Sequence, residues 1–69
     1  MDDYNKYVYN ILKEIEDLMN NGEKKVSQQK LNNLYEAYTI YDKHFAQENI
    51  DYMYCLFAKY VRKFMRKEV

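Results

Sequence analysis

The side chains with the reactivity for catalysis or metal binding are few and far apart in this sequence. It contains one histidine, His44, and one cysteine, Cys55. Glu48 follows His44 by four residues and would share a helix face with it, but two ligands do not complete a metal site. We therefore expect neither a metal site nor a cofactor, and interpret His44 as a boundary residue near a turn.

The sequence also shows no pattern of residues that is typical of nucleophilic or acid–base catalysis. Ser27 is the only serine, and it precedes a helical pattern, where it is better explained as a helix cap. No acidic pair is placed between apolar walls, and no Walker, Rossmann or nucleophile-elbow pattern occurs. A chain of 69 residues also leaves little room for a deep pocket. We predict that the protein is not an enzyme and has no catalytic residues.

Five basic residues lie along the last helical stretch: Lys59, Arg62, Lys63, Arg66 and Lys67. Across the whole chain, 11 basic residues balance 11 acidic residues, which disfavours a strongly basic nucleic-acid binder. In a helix-turn-helix, Asp51 would occupy the end of the recognition helix and repel phosphates. We interpret the five residues as a solvated helix end that complements the negative C-terminal dipole. Nucleic-acid contact through them is the alternative.

Four large residues fall outside the apolar stripes of the sequence: Tyr9, Ile40, Tyr52 and Leu56. The chain is rich in tyrosine, with nine Tyr and no Trp. Isolated exposed apolar residues are ordinary, whereas tyrosines that converge on a surface are typical of binding sites. We predict that these four residues contact a second protein, with Tyr52 as the strongest candidate. At least two should be exposed by more than about one third.

Three amphipathic stretches position these residues. They cover about residues 4–20, 28–45 and 50–67, and each repeats apolar residues at spacings of three and four. The predicted core stripe of the first includes Tyr4 and Tyr7, and that of the second includes Tyr41. Their short connections predict an all-α fold, a small antiparallel three-helix bundle that forms a single domain over residues 1–69. One long bent helix through residues 28–66 is the alternative to separate second and third helices.

The helix boundaries have specific capping signals. Asp2 or Asp3 is the expected N-cap of the first helix, and Gly22 supplies the positive φ that ends it. Ser27 and Asn49 are the expected N-caps of the second and third helices. These signals leave only short polar turns between the helices.

The third stretch carries the widest apolar face, and the other two helices need it as a partner. On a helical wheel its core stripe consists of Ile50, Met53, Tyr54, Phe57, Val61, Phe64 and Met65. Phe57 is the predicted centre of the core. The same face would suit a membrane surface, but a bundle core accounts for it, so we expect no membrane contact.

The function predicted from these features is a non-enzymatic, protein-binding regulator or inhibitor that docks a helix face on a larger partner. In size the chain is similar to inhibitors encoded by phages and mobile elements, anti-CRISPR proteins among them; no motif carries that similarity. A nucleic-acid-binding accessory protein and a self-associating structural protein, a homo-oligomer, are the alternatives. With one cysteine and no basic-then-apolar leader, the expected location is cytoplasmic.

Overall fold

The computed structural model describes residues 2–65, which form three α-helices packed against one another. Helix α1 spans Asp3–Asn20, α2 spans Lys24–Tyr41 and α3 spans Gln47–Tyr60. A 3₁₀ turn, Asp42–His44, follows α2, and a π-helical segment, Val61–Met65, continues α3. These residues contain no strand, so the predicted three-helix bundle is confirmed. Within the same range, every helix falls short of the length and apolarity that a membrane crossing requires.

Both ends of α1 follow the predicted capping signals. The Asp2 carboxylate accepts a hydrogen bond from the backbone N–H three residues on, at 2.8 Å. At the other end Gly22 has a φ of +81°, which a side chain would disfavour. The N–H groups of Gly22 and Glu23 donate to the carbonyls of Met19 and Leu18, at 3.0 and 2.9 Å. This is a Schellman motif, and it reverses the chain within three residues.

The second helix begins earlier than the sequence predicts. The Ser27 N–H donates to the Glu23 carbonyl at 3.0 Å, so α-helical bonding is already established there and Ser27 is not the N-cap. Its hydroxyl donates instead to the Lys24 carbonyl at 3.0 Å. That bond satisfies the hydroxyl within its own helix, which allows Ser27 to be fully buried.

A true break separates α2 from α3, so the alternative of one long helix is wrong. Phe45 and Ala46 adopt extended conformations, with ψ values of 128° and 145°. Ala46, not Asn49, is the N-cap of α3. The Asn49 side chain points inward from the first turn of the helix and is completely buried.

Ten apolar side chains form the core, each 7% exposed or less: Val8, Leu12, Ile15, Met19, Leu31, Leu34, Phe45, Met53, Leu56 and Tyr60. The predicted centre, Phe57, is only half-buried at the edge of this cluster. Leu56, predicted at the surface, is 1% exposed. The predicted register of α3 is therefore wrong by part of a turn.

The register error arises because a buried polar residue, Asn49, orients α3. Asn49 must face inward to reach its hydrogen-bond partner on α1, and residues at spacings of four, three and four from it follow onto the same face. Met53, Leu56 and Tyr60 occupy those positions. A helical wheel drawn from the apolar residues alone ignores Asn49. It therefore turns the wrong face of α3 toward the core.

Candidate functional site

A buried pair of amides fixes the turn between α2 and α3 against α1. Asn5 is 5% exposed, and its Nδ2 donates to the His44 carbonyl at 2.9 Å. Its Oδ1 accepts from the Ala46 N–H at 2.7 Å. Asn49 Nδ2 donates to the carbonyl and the Oδ1 of Asn5, at 2.9 and 3.1 Å. We call Asn5 and Asn49 the amide latch; it holds backbone in place and contains no reactive group.

A second polar contact joins α1 to α3 through Glu16. The Tyr52 hydroxyl donates to one carboxylate oxygen at 2.6 Å, and Lys59 Nζ donates to the other at 3.2 Å. The hydrogen bond from Tyr52, followed by that from Lys59, lowers the pKa of Glu16. Burial, and then the bond to Glu16, raises the pKa of Tyr52. We call these three residues the Glu16 clasp, and its geometry is that of an interhelical tie.

The four predicted contact residues do not form one surface. Tyr9 and Tyr52 meet on the α1–α3 face, with ring centroids 5.8 Å apart. Ile40 is 64% exposed near the end of α2, and Leu56 lies in the core. The expected exposure is confirmed for Tyr9, at 41%, and for Ile40. Tyr52 is half-buried, and its hydroxyl bonds to Glu16 in the clasp. A contact role for Tyr9, Ile40 and Tyr52 stays a prediction.

The predicted basic end is only partly available for ligands. Lys59 forms an ion pair with Glu16, whereas Arg62 and Lys63 are exposed on the π-helical segment. Arg66 and Lys67 lie outside the described residues. Toward the opposite end of α3, Asp51 is exposed. The helix therefore carries opposite charges at its two ends.

We expect no gel shift with duplex or single-stranded probes at low salt and micromolar protein. The reason is that the net charge is zero and Asp51 occupies the end that a recognition helix would present, while nucleic-acid binders rely on neutralised phosphates. A titration at low and moderate salt checks this. A shift that weakens steeply with salt and disappears in an Arg62→Glu variant would support the nucleic-acid alternative instead.

The isolated reactive residues stay isolated in three dimensions. Within residues 2–65, no three of the His, Cys, Asp and Glu side chains lie close enough together to hold a metal ion. His44 sits in the exposed 3₁₀ turn, with its ring 6.4 Å from that of Tyr41. Cys55 is exposed on α3. His44 and Cys55 therefore lie on different elements, the 3₁₀ turn and α3.

Tyrosine exposure is the most distinctive property of the surface. All nine tyrosines lie within residues 2–65, and only Tyr60 is buried. Six keep more than a third of their surface in solvent: Tyr4, Tyr7, Tyr9, Tyr35, Tyr41 and Tyr54. A tyrosine ring presents a large apolar area with little conformational freedom to lose, which is why it is favoured at binding surfaces.

Two of these tyrosines line a groove between α1 and α2, with a volume of about 470 Å³. Its apolar lining consists of Tyr4, Tyr7, Val8, Ile11, Leu34 and Ala37. Glu14 and Lys30 line its far end and pair with each other at 3.0 Å. We call this the tyrosine groove. Tyr7 is its most exposed member, at 63%.

A second cleft, of about 330 Å³, meets the tyrosine groove at Tyr4 and is also lined by Asp2, Tyr41 and His44. Edge-to-face packing on Phe45, with centroids 5.7 Å apart, holds the Tyr4 ring in place. Burial, and then the neighbouring Tyr41, raises the pKa of Tyr4. The two clefts thus share the Tyr4 side chain as a common wall.

The sequence assigned Tyr4, Tyr7 and Tyr41 to core stripes, and so missed this surface. The available signal was the width of the stripe on α1, which contains more apolar positions than one face can bury. A surface of this kind can bind another chain by burying apolar area. The chain matches no protein-family model, no curated protein and no solved structure.

Proposed function

We propose that the protein is a non-enzymatic regulator that docks the tyrosine groove on a larger protein and thereby blocks or biases that partner. The observation that carries the proposal is the exposure of Tyr4 and Tyr7 in the tyrosine groove, and of Tyr41 in the cleft beside it. A large exposed apolar surface lowers the solubility of a protein. Where a folded protein has one, it usually marks a site of contact with a partner.

The partner segment that fits the groove is an amphipathic helix. The groove lies between two neighbouring helices, as the grooves of helix-binding proteins do, and such helices insert anchors at spacings of three, four and seven. The small side chain of Ala37 in its lining leaves space for one anchor. Tyr7, at 63% exposure, can fold its ring over the inserted side chains while its hydroxyl stays in water.

The charges around the groove indicate that burial, and not attraction, drives this contact. Glu14 and Lys30 neutralise each other at 3.0 Å. Surface charge pairs already satisfied within one chain contribute little to an encounter. Binding to the groove should therefore depend weakly on salt, in contrast to binding at a basic surface.

As a regulator of this kind the protein would act by occupying a surface that its partner needs. Small inhibitors from phages and mobile elements work at a comparable size, and the proposal extends to that class. Nucleic-acid contact and a structural role through self-association are competing proposals.

Exchanging Tyr7 for alanine should weaken capture of the partner by about thirtyfold or more, the effect of losing a hot-spot ring. The fold should persist, because Tyr7 makes its contacts at the surface. The measurement is quantitative affinity capture from a lysate of the encoding organism, followed by mass spectrometry. Asn10→Ala, at an exposed position of the same helix, is the matched control.

The proposal requires one protein whose recovery falls with Tyr7→Ala and is unchanged with Asn10→Ala. If recovery falls only in a Tyr9→Ala variant, the docking site belongs on the α1–α3 face. Equal recovery in all variants would contradict docking through tyrosines altogether.

A further inference from the structure

The outer side of α3 carries an apolar stripe that the bundle leaves uncovered. Tyr54, Ala58, Val61 and Met65 follow one another at spacings of four, three and four, and all are exposed. Tyr54 is 49% exposed, and Val61 and Met65 are each 54% exposed. We call these four residues the outer stripe of α3. The apolar face of this helix is thus wider than the contact with α1 and α2 requires.

Aromatic contacts with α2 hold one edge of the outer stripe in place. Tyr54 packs edge-to-face on Tyr38, with centroids 6.4 Å apart, and Phe57 packs in the same way on Tyr35 at 5.5 Å. Tyr35 is itself 40% exposed and widens the apolar area. A patch fixed in this way loses little conformational entropy on contact.

Two opposite charges flank the outer stripe. Asp51 and Arg62 are both exposed and stand eleven residues apart, which is about three helical turns. They therefore lie on the same side of α3, Asp51 about one turn before Tyr54 and Arg62 between Val61 and Met65. Ala58, the smallest residue of the stripe, lies between them and permits another helix to approach closely.

We propose that the occupant of the outer stripe is a second copy of this chain, paired antiparallel through α3. A two-fold axis across the stripe brings the same flank of both helices together with their ends reversed. With the axis passing between residues 56 and 57, midway between the two charges, Asp51 of each copy faces Arg62 of the other, and the surface is complementary to itself. A parallel pair would place this flank of the two copies on opposite sides of the contact and leave both charges without a partner. The surface is distinct from the tyrosine groove, so this inference stands apart from the proposed function.

The contact spans only about 17 Å of helix, so the interface is smaller than that of a standard complex and the dimer should be weak. Sedimentation equilibrium from about 10 µM to 1 mM should show a monomer–dimer equilibrium. Val61→Lys should weaken it by about tenfold or more, because each copy would bury a charge. Gln29→Lys, at an exposed site on α2, should leave it unchanged.

Charge exchange tests the antiparallel arrangement. Asp51→Arg alone should weaken the dimer by about tenfold, since two attractive contacts become repulsive. Arg62→Asp alone should do the same, and the double variant should restore the parent affinity. Circular dichroism melting of each variant, within a few degrees of the parent, shows that the fold is retained.

Four results would overturn the proposal. A monomer at every concentration excludes self-association, and a dimer that resists Val61→Lys but is lost with Tyr7→Ala places the contact in the tyrosine groove. A chain that stays monomeric but binds vesicles of anionic lipid through Val61 would make the stripe a membrane contact. Failure of the double variant to restore affinity would exclude the antiparallel pairing.

Discussion

An Asn5→Ala variant is expected to lose a large part of the stability of the bundle. The substitution removes the acceptor of the Ala46 N–H and one acceptor of the buried Asn49 amide, and it leaves the His44 carbonyl without its donor. A buried polar group left without a partner costs about 1–3 kcal/mol. The combined loss of about 3 kcal/mol or more compares with a total stability of roughly 3–10 kcal/mol for a chain of this length.

Urea denaturation followed by circular dichroism measures this loss. Asn10→Ala, an exposed asparagine of the same helix, should change the free energy of unfolding by less than about 0.5 kcal/mol. Equal midpoints for the two variants would mean that the amide latch contributes nothing to stability.

The second large effect is expected at Leu56. This side chain is 1% exposed in the centre of the core, so its truncation to alanine should cost about 2–5 kcal/mol. Phe57→Ala should cost less, about 1–2 kcal/mol, because the Phe57 ring is only half-buried. The neighbouring positions thus serve as controls for each other.

Thermal melting of the two variants distinguishes the two possible registers of α3. Leu56→Ala should lower the melting temperature by about 10 °C or more, given the usual shift per kcal/mol for a domain of this size. The original expectation from the sequence was the reverse, with Phe57 at the centre. A larger loss for Phe57→Ala would restore that expectation and contradict the structure.

Periodicity was enough to predict three helices, because apolar spacings of three and four recur in every segment. The two caps of α1 were predictable because one residue determines each of them. Gly22 adopts the positive φ that ends the helix, and the Asp2 carboxylate accepts a backbone hydrogen bond at its start. Ser27 and Asn49 were misassigned because their side chains bond to other partners. Asn49 reaches Asn5, 44 residues away, and no local pattern contains that contact.

The candidate surface was predictable only in part for a related reason. Tyr9 and Ile40 were identified because they oppose the apolar stripes, and both are exposed. Tyr7 and Tyr41 lie within the stripes and were counted as core, although the bundle has room for only part of each apolar face. How much of a stripe is buried depends on the helix rotation, which the amide latch sets here.

The amide latch also has a consequence for the order of folding. It joins Asn5 to residues 44–49, so it can form only after a loop of about forty residues has closed, a step with a high entropic cost. The α1–α2 hairpin, whose turn is local, can form before it. Contacts made after the transition state mainly slow unfolding. The amide latch should therefore lower the unfolding rate of the bundle. Asn5→Ala should accelerate unfolding in stopped-flow measurements far more than it slows refolding.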